Sequence, residues 1–398
     1  MTKEPDNIMK KLYNSTSLSS KEFVASTDKQ KKMMRELKTR KDTEGLRMKR
    51  YLAMEDLSRT TGSPLKEIIE KVTKLSILKG FDKIKIPEIV PANISFDLFN
   101  FPPDHPARST SDTYYVNKKN ILRTHTTVMW YYYLNNKDIK EKVKQGEPIG
   151  VLSFGKVYRK DEIDRHHMNI FHQIDGLYLC ENKYHEITQK DLQDVLVEIA
   201  KAIFGKDIRY RFNDDTFPYT NQSIEMEIDK NGKWVEVLGA GVVQPVVLEK
   251  LGVDSKQYNG WAFGFGLERL AIISMDLPDI RLFWSEDIRV KKQLKLGYKF
   301  IEVSKYPPIV RDISFIVKND FVPNNYFDLV RETAPDLVEE VILLDKYKNA
   351  EKFGNNVLSY AFRITYRSTE RTLTSTEVDI LHKKLEAETV RIFGAKVR

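Results

Sequence analysis

Apolar residues recur at helical spacing in two stretches of the chain. Leu65, Ile68, Ile69, Val72 and Leu75 form one stripe. Ser63 is a candidate N-cap before it, Pro64 takes the first helical position, and Gly80 is placed to close the C-terminus. Leu192, Val195, Leu196, Ile199 and Ile203 form a second stripe, ended by Gly205. A further helical stretch is expected over Lys29–Leu57. Phe81–Pro87 alternates like a strand, and Val151–Arg159, Asn169–Cys180, Ser223–Ile228 and Trp234–Val243 also read as strands. A strand-to-helix junction punctuated by glycine runs from Gly260 to Met275. Helices set among hairpin-like strands predict an α+β fold, a mainly antiparallel sheet flanked by helices.

The last hundred residues read as a unit of their own. Strands are expected at Lys299–Val303, Asp312–Val317, Val338–Tyr347 and Val357–Tyr366, helices at Asn324–Thr333 and Ser375–Glu388, and a final segment from Val390. That order approximates a ferredoxin-like βαββαβ unit. The expected organisation is an N-terminal extension over 1–60, the α+β domain over 61–289, a linker over 290–297 and the ferredoxin-like domain over 298–398. A length of 398 residues suits two or three domains.

Composition narrows the class. With 41% hydrophobic and 11% aromatic residues, a wholly disordered chain is excluded. No window approaches 18 uninterrupted apolar residues, so no transmembrane helix and no membrane partner are expected. Cys180 is the single cysteine, which excludes an internal disulfide and any multi-cysteine zinc or iron–sulfur site. The net charge of +8 is uneven: residues 1–50 hold 14 Lys/Arg against 7 Asp/Glu. A basic arm of this kind suits a polyanion, and a solvated tail is the equal alternative. Met1–Lys21 lacks the apolar core of a secretory signal. With no arginine before Arg35 and with Glu4, Asp6 and Glu22 present, it does not read as a transit peptide either.

Three segments carry candidate chemistry. Five of the seven histidines (His105, His125, His166, His167 and His172) fall within Asp104–Gln173. His166 and His167 are expected on opposite sides of a strand, no cysteine is near, and no His pair sits one helical turn apart, so no zinc site is expected. A hairpin bearing Arg159, Lys160, Arg165 and the two histidines suits a polyphosphate, since guanidinium matches phosphate oxygens in a planar fork. An exposed charged hairpin is the plainer alternative. Gly260–Arg269 (GWAFGFGLER) has glycines at 264 and 266 that allow close approach of a flat ligand, ahead of a helix carrying Arg269. It matches neither a Rossmann nor a Walker loop, and a packed strand–helix corner explains it equally. Phe217 and Tyr219 lie on one side of an extended segment, placed to stack on a third ring or to fill a core.

Together these segments resemble the class II aminoacyl-tRNA synthetases, specifically the phenylalanyl-tRNA synthetase family. Asn100–Arg108 (NFPPDHPAR) with Asp112–Tyr115 resembles the loop before that family's active site, and Leu122–Thr127 (LRTHTT) resembles its LR-x-HT-S/T segment. Val157–Gln173 is similar to motif 2, and Gly260–Arg269, followed by Asp279–Phe283, to motif 3. Ser304–Pro307, Arg311–Phe315 and Tyr366–Thr374 resemble the family's ferredoxin-like anticodon-binding domain. One chain carrying both parts, with Arg159–Asp164 (RKDEID) similar to an "RRD-x-ID" stretch, resembles the monomeric, mitochondrial or organellar branch.

The resemblance implies activation of L-phenylalanine with ATP and Mg²⁺, without zinc, and transfer to the 3′ end of tRNA(Phe), by a mitochondrial monomer. It implies that Arg159 and His167 hold the α-phosphate, that Arg269 holds the γ-phosphate, and that Glu236 meets the Mg²⁺. Thr127, Gln173 and Asp175 would ring the substrate ammonium, Phe217 and Tyr219 would sandwich its ring, Ala262 would form the pocket floor, and Phe263 and Gly264 would shape the nucleotide floor. His125, Val128, Met129, Trp130, His166, Met168 and Ile174 would complete the lining. Lys305, Arg311, Arg363, Arg367 and Arg371, with stacking on Tyr306 or Tyr366, would contact tRNA. The chain departs from the family pattern at Trp130 (usually Gln), Asp175 (Glu), Tyr219 (Phe) and Gln222 (Pro). A non-catalytic tRNA-binding relative and a class II synthetase for another amino acid are the alternatives. The basic arm is expected to make sequence-independent phosphate contacts, so that removing Met1–Arg50 weakens tRNA affinity and flattens its salt dependence while leaving amino-acid activation intact.

Overall fold

The computed structural model describes residues 20–25, 28–160, 165–321, 323–334, 337–348, 356–368 and 370–398. They divide into two units, one ending at Phe300 and one starting at Ile301.

In the first unit β1 (Glu22–Val24) runs parallel to β2 (Asp82–Lys85). β3 (Ile89–Pro91), β4 (Tyr115–Asn117) and β5 (Asn120–Leu122) make a small sheet of their own. The large sheet continues from β2 into β6 (Ile149–Tyr158), again parallel. It is antiparallel from there through β7 (Ile170–Glu181), β11 (Tyr258–Gly266), β10 (Lys233–Val243), β9 (Thr220–Lys230) and β8 (Tyr210–Asp214). Helix α1 (Asp28–Thr39), α2 (Thr43–Ala53), α3 (Pro64–Thr73), α4 (Met129–Leu134), α5 (Gln189–Phe204) and α6 (Leu267–Met275) pack around these sheets.

The end signals of two helices act as their residue types require. The Ser63 hydroxyl accepts from the Leu65 amide at 3.2 Å, and Leu65, Ile68, Ile69 and Val72 bury their stripe. The helix stops at Thr73; Gly80, at φ +89°, follows a later helical turn. In α5, Thr188 and Asp191 form a reciprocal capping box.

The N-terminal stretch differs from expectation in two ways. It is broken into α1 and α2, because Asp42 caps α2 by accepting from the Gly45 amide at 3.0 Å while pairing with Arg40. It is also not a separate extension. Met33, Leu37 and Met48 are buried with Tyr114, Tyr158 and Ile170 in one apolar cluster of the first unit. Residues 1–19 and 26–27 of the expected basic arm lie outside the described residues. The stretch read as a linker, 290–297, buries Val290, Leu294 and Leu296, and the unit closes where the Phe300 amide donates to the Met275 carbonyl at 2.7 Å.

The second unit is a βαββαβ fold. It comprises β12 (Ile309–Lys318), α7 (Pro323–Thr333), β13 (Val338–Tyr347), β14 (Val357–Tyr366), α8 (Ser375–Phe393) and β15 (Lys396–Val397), with sheet order β13-β14-β12-β15. Lys299–Val303 is not its first strand. Pro307 and Pro308 lack the amide donors a ladder needs, and pairing starts at Ile309. Nor does a strand begin at Val390: α8 continues to Phe393, and Gly394, in the left-handed region at φ +57°, ends it. Phe315, Tyr326, Tyr360 and Phe362 form the centre of this unit's core.

Candidate functional site

One face of β7, β10 and β11 borders a cavity of about 860 Å³. Alternation along β7 turns Phe171, Gln173 and Asp175 toward it and His172 and Ile174 away. Gly264 stands opposite Asp175 in register, and a Cβ there would sit 2.9 Å from the Asp175 carboxylate. A Cβ at Gly239, paired with Gly264, would lie 3.0 Å from the Phe217 ring. Two facing glycines therefore keep the floor open where strands with side chains would fill it.

At the inner end Asp175 is buried. Its Oδ1 accepts from Thr127 Oγ1 at 2.6 Å and its Oδ2 from Thr126 Oγ1. Burial pushes this carboxyl up to about 6, with the Thr126 and Thr127 hydroxyls pulling the other way. Gln173 Oε1 accepts from the Thr126 amide at 3.3 Å. His125 is held neutral, its pKa lowered to about 4 by burial and by the charge of Arg159. Its Nε2 donates to the Ser95 carbonyl at 3.2 Å, which leaves Nδ1 as an acceptor without a protein partner among the described residues. Phe217 and Tyr219 stack at 6.1 Å and 21°, and the buried Trp130 meets Tyr219 edge-on at 5.9 Å.

The mouth is cationic. The Arg159 guanidinium lies 5.0 Å from the Phe171 ring centroid, and its Nε donates to the Thr124 carbonyl at 3.0 Å. His166 and His167 line the same end. Across the cavity Arg269 Nη1 pairs with Glu236 Oε2 at 3.0 Å, both side chains about half exposed. Stacked rings leading to a buried carboxylate offer places for a flat apolar group and a cation, and the two arginines offer places for anions.

Residues 49–294 match the family described as tRNA synthetases class II core domain (F), and residues 304–398 match the ferredoxin-fold anticodon binding domain. The chain belongs to the class II tRNA synthetases. It is 38% identical over 330 residues to the chloroplastic/mitochondrial phenylalanine–tRNA ligase of Arabidopsis thaliana, covering 80% of this synthetase and 73% of that protein. To the mitochondrial phenylalanine–tRNA ligase of Mus musculus it is 35% identical over 356 residues, 79% of this chain and 74% of that one. The alpha subunit of the Coxiella burnetii phenylalanine–tRNA ligase matches a shorter stretch, 38% over 234 residues.

Most of the residues expected in this synthetase's site do line the cavity: Arg159, His167, Arg269, His125, Thr127, Trp130, His166, Met168, Gln173, Asp175, Phe217, Tyr219, Glu236, Ala262, Phe263 and Gly264. Val128, Met129 and Ile174 do not. Val128 and Met129 turn into the core with Leu177 and Val247, and Ile174 has the wrong parity on β7. The Phe263 ring, stacked between Trp261 and Phe265 at 5.7 Å each, lies on the face away from Gly264. Lys160 is drawn away from the phosphate end, donating to Glu44 at 2.6 Å and to the Thr110 carbonyl at 2.7 Å. His166 and His167 precede β7 instead of alternating along it, and Asp161–Asp164 of the hairpin lie outside the described residues.

In the second unit Arg311, Arg363, Arg367 and Arg371 pair with Asp379, Asp312, Glu339 and Glu377, and Lys305 lies over Tyr306. Tyr366 is buried and bonded to His382 at 3.1 Å, so it offers no ring for stacking on RNA. Sequence reasoning missed Thr126, Phe171, Trp234 and Glu268, which help build the site. Phe171 was findable, since it shares the parity of Gln173 and Asp175.

Proposed function

We propose that this chain activates L-phenylalanine with ATP and transfers it to the 3′ end of tRNA(Phe), as a monomer in mitochondria. The observation that carries the reading is the stacked Phe217–Tyr219 pair beside the buried Asp175, within a class II synthetase core. The rings take the phenyl group and Asp175 takes the ammonium. Phenylalanine's carboxylate then attacks the α-phosphorus of ATP and pyrophosphate departs. In the second step a terminal ribose hydroxyl of tRNA attacks the acyl carbon, and AMP leaves with the bonding pair. Neither step needs a protein nucleophile, so the chain's contribution is positioning and neutralisation of charge.

Arg159 and His167 hold the α-phosphate and the approaching carboxylate. Arg269 exchanges Glu236 for the γ-phosphate. The donor set suits a Mg²⁺ held chiefly by phosphates: Glu236 is a half-exposed carboxylate at that end, whereas Asp175 and Glu268 are buried and bonded to protein groups. When bound, such an ion would add to the neutralisation of the triphosphate that Arg159 and Arg269 provide. Relatives named mitochondrial support the compartment.

Arg159→Ala and Arg269→Ala should each lower phenylalanine-dependent ATP–pyrophosphate exchange by about two to three orders of magnitude, with melting temperatures near wild type. Normal exchange in both variants refutes the assignment.

A further inference from the structure

The two edges of the motif 2 hairpin do different work. Lys156, Tyr158 and Lys160 alternate with Val157 and Arg159, so their side chains leave the opposite face of β6 from the Arg159 guanidinium. All three meet the chain's N-terminal part. Buried Lys156 donates its Nζ to the carbonyls of Leu52 at 2.9 Å and Met54 at 2.7 Å, which places a cation at the C-terminal end of α2. Tyr158 packs in one cluster with Met33 and Met48. Lys160, next to Arg159, reaches Glu44 in the first turn of α2.

The same segment reaches the second arginine. Opposite Lys156 in register stands His172, fully buried. Its Nε2 accepts from the Leu57 amide at 3.0 Å, so its proton sits on Nδ1, which donates to Glu268 Oε1 at 2.7 Å. Glu268 also accepts from the His172 amide, at 3.0 and 2.9 Å, and immediately precedes Arg269 on α6. Leu57 is thus tied to the strand that leads into the cavity and, through one imidazole, to the first turn of the helix bearing Arg269.

We propose that Thr43–Leu57 is a positioning element of the ATP site, with Glu44 and Lys160 fixing Arg159 and the Leu57–His172–Glu268 chain fixing Arg269. This rests on the reading that the two arginines receive the triphosphate. A guanidinium on a long side chain keeps its aim only if its backbone is held, and a shift of about 1 Å costs up to a hundredfold in rate. Glu44–Lys160 is a single, part-buried ion pair that adds only modestly to stability, so most of its effect belongs to rate and ATP affinity.

The test is a double-mutant cycle on pyrophosphate exchange in the full chain, with Glu44→Ala, Lys160→Met and the two combined. Each single variant should lose about tenfold in kcat/KM for ATP, with KM for phenylalanine within twofold and melting within a few degrees. The double variant should be no worse than either single one, and Lys160→Arg should retain activity. Full exchange rates in Glu44→Ala overturn the proposal, as do additive losses or equal shifts in both KM values. Arg159→Ala, measured alongside, separates the two claims: if it exchanges normally, the ATP-site reading itself fails.

Discussion

At Asp175 burial opposes charge. The folded protein holds the carboxyl near 6, whereas an unfolded chain releases that proton at about 3.9. Between those values the folded state binds more protons, so the stability of the unliganded protein falls as pH rises, and the loss persists at neutral pH. Asp175→Asn removes it. The variant should melt higher than wild type at pH 7 and show no phenylalanine activation. In wild type the ammonium needs the ionised form, so KM for phenylalanine should rise about tenfold for each pH unit below 6. A flat KM between pH 5 and 7 contradicts the role given to Asp175. Ala262 is buried opposite Gly241 and lines the cavity. Ala262→Gly should admit larger para-substituted phenylalanines, and an unchanged substrate range removes it from the pocket. Residue types made much of this site legible: a carboxylate, paired aromatics, two arginines and the strand glycines. Both hydroxyl partners of Asp175 stand in the LRTHTT segment, yet only Thr127 was read as a site residue, because nothing in the sequence pattern says which side chain reaches the carboxylate. Gln222 illustrates what stays hidden. Its φ of +47° is closed to proline, the residue that the family resemblance leads one to expect at this position.

Among the elements, amphipathic periodicity found α3 and α5, and the runs read as strands fell close to β6, β7, β9 and β10. It failed where charge dominates composition. Lys29–Leu57 is rich in lysine and arginine and reads as an extension, yet Met33, Leu37, Met48 and Leu57 are buried. Beyond these apolar contacts, Lys156 satisfies the carbonyls of Leu52 and Met54 at the end of α2 from the core side. The expectation that this arm is dispensable for activation is replaced by its opposite. Deleting residues 1–53 should expose Tyr114, Tyr158 and Ile170, lower the melting temperature by several degrees or more, and remove amino-acid activation. Retention of both in the truncated chain rules out the integral role of α1 and α2. The misplaced first and last strands of the second unit have local causes, a Pro-Pro pair and a helix that runs to its closing glycine.

The whole chain joins a synthetase core to an anticodon-binding unit that is nearly neutral, with 16 Lys/Arg and 15 Asp/Glu over Tyr298–Arg398. The arginines expected to meet RNA are engaged in ion pairs that a phosphate must displace, so overall field strength is a weak recruiter there. Removing Ile301–Arg398 should abolish tRNA charging and leave pyrophosphate exchange largely intact. Charging at full rate by the truncated chain contradicts that division of labour. The central claim is tested most directly by ATP–pyrophosphate exchange with each of the twenty amino acids in turn. Exchange driven by phenylalanine above every other amino acid is the predicted result, and exchange driven by a different amino acid, or by none, contradicts it.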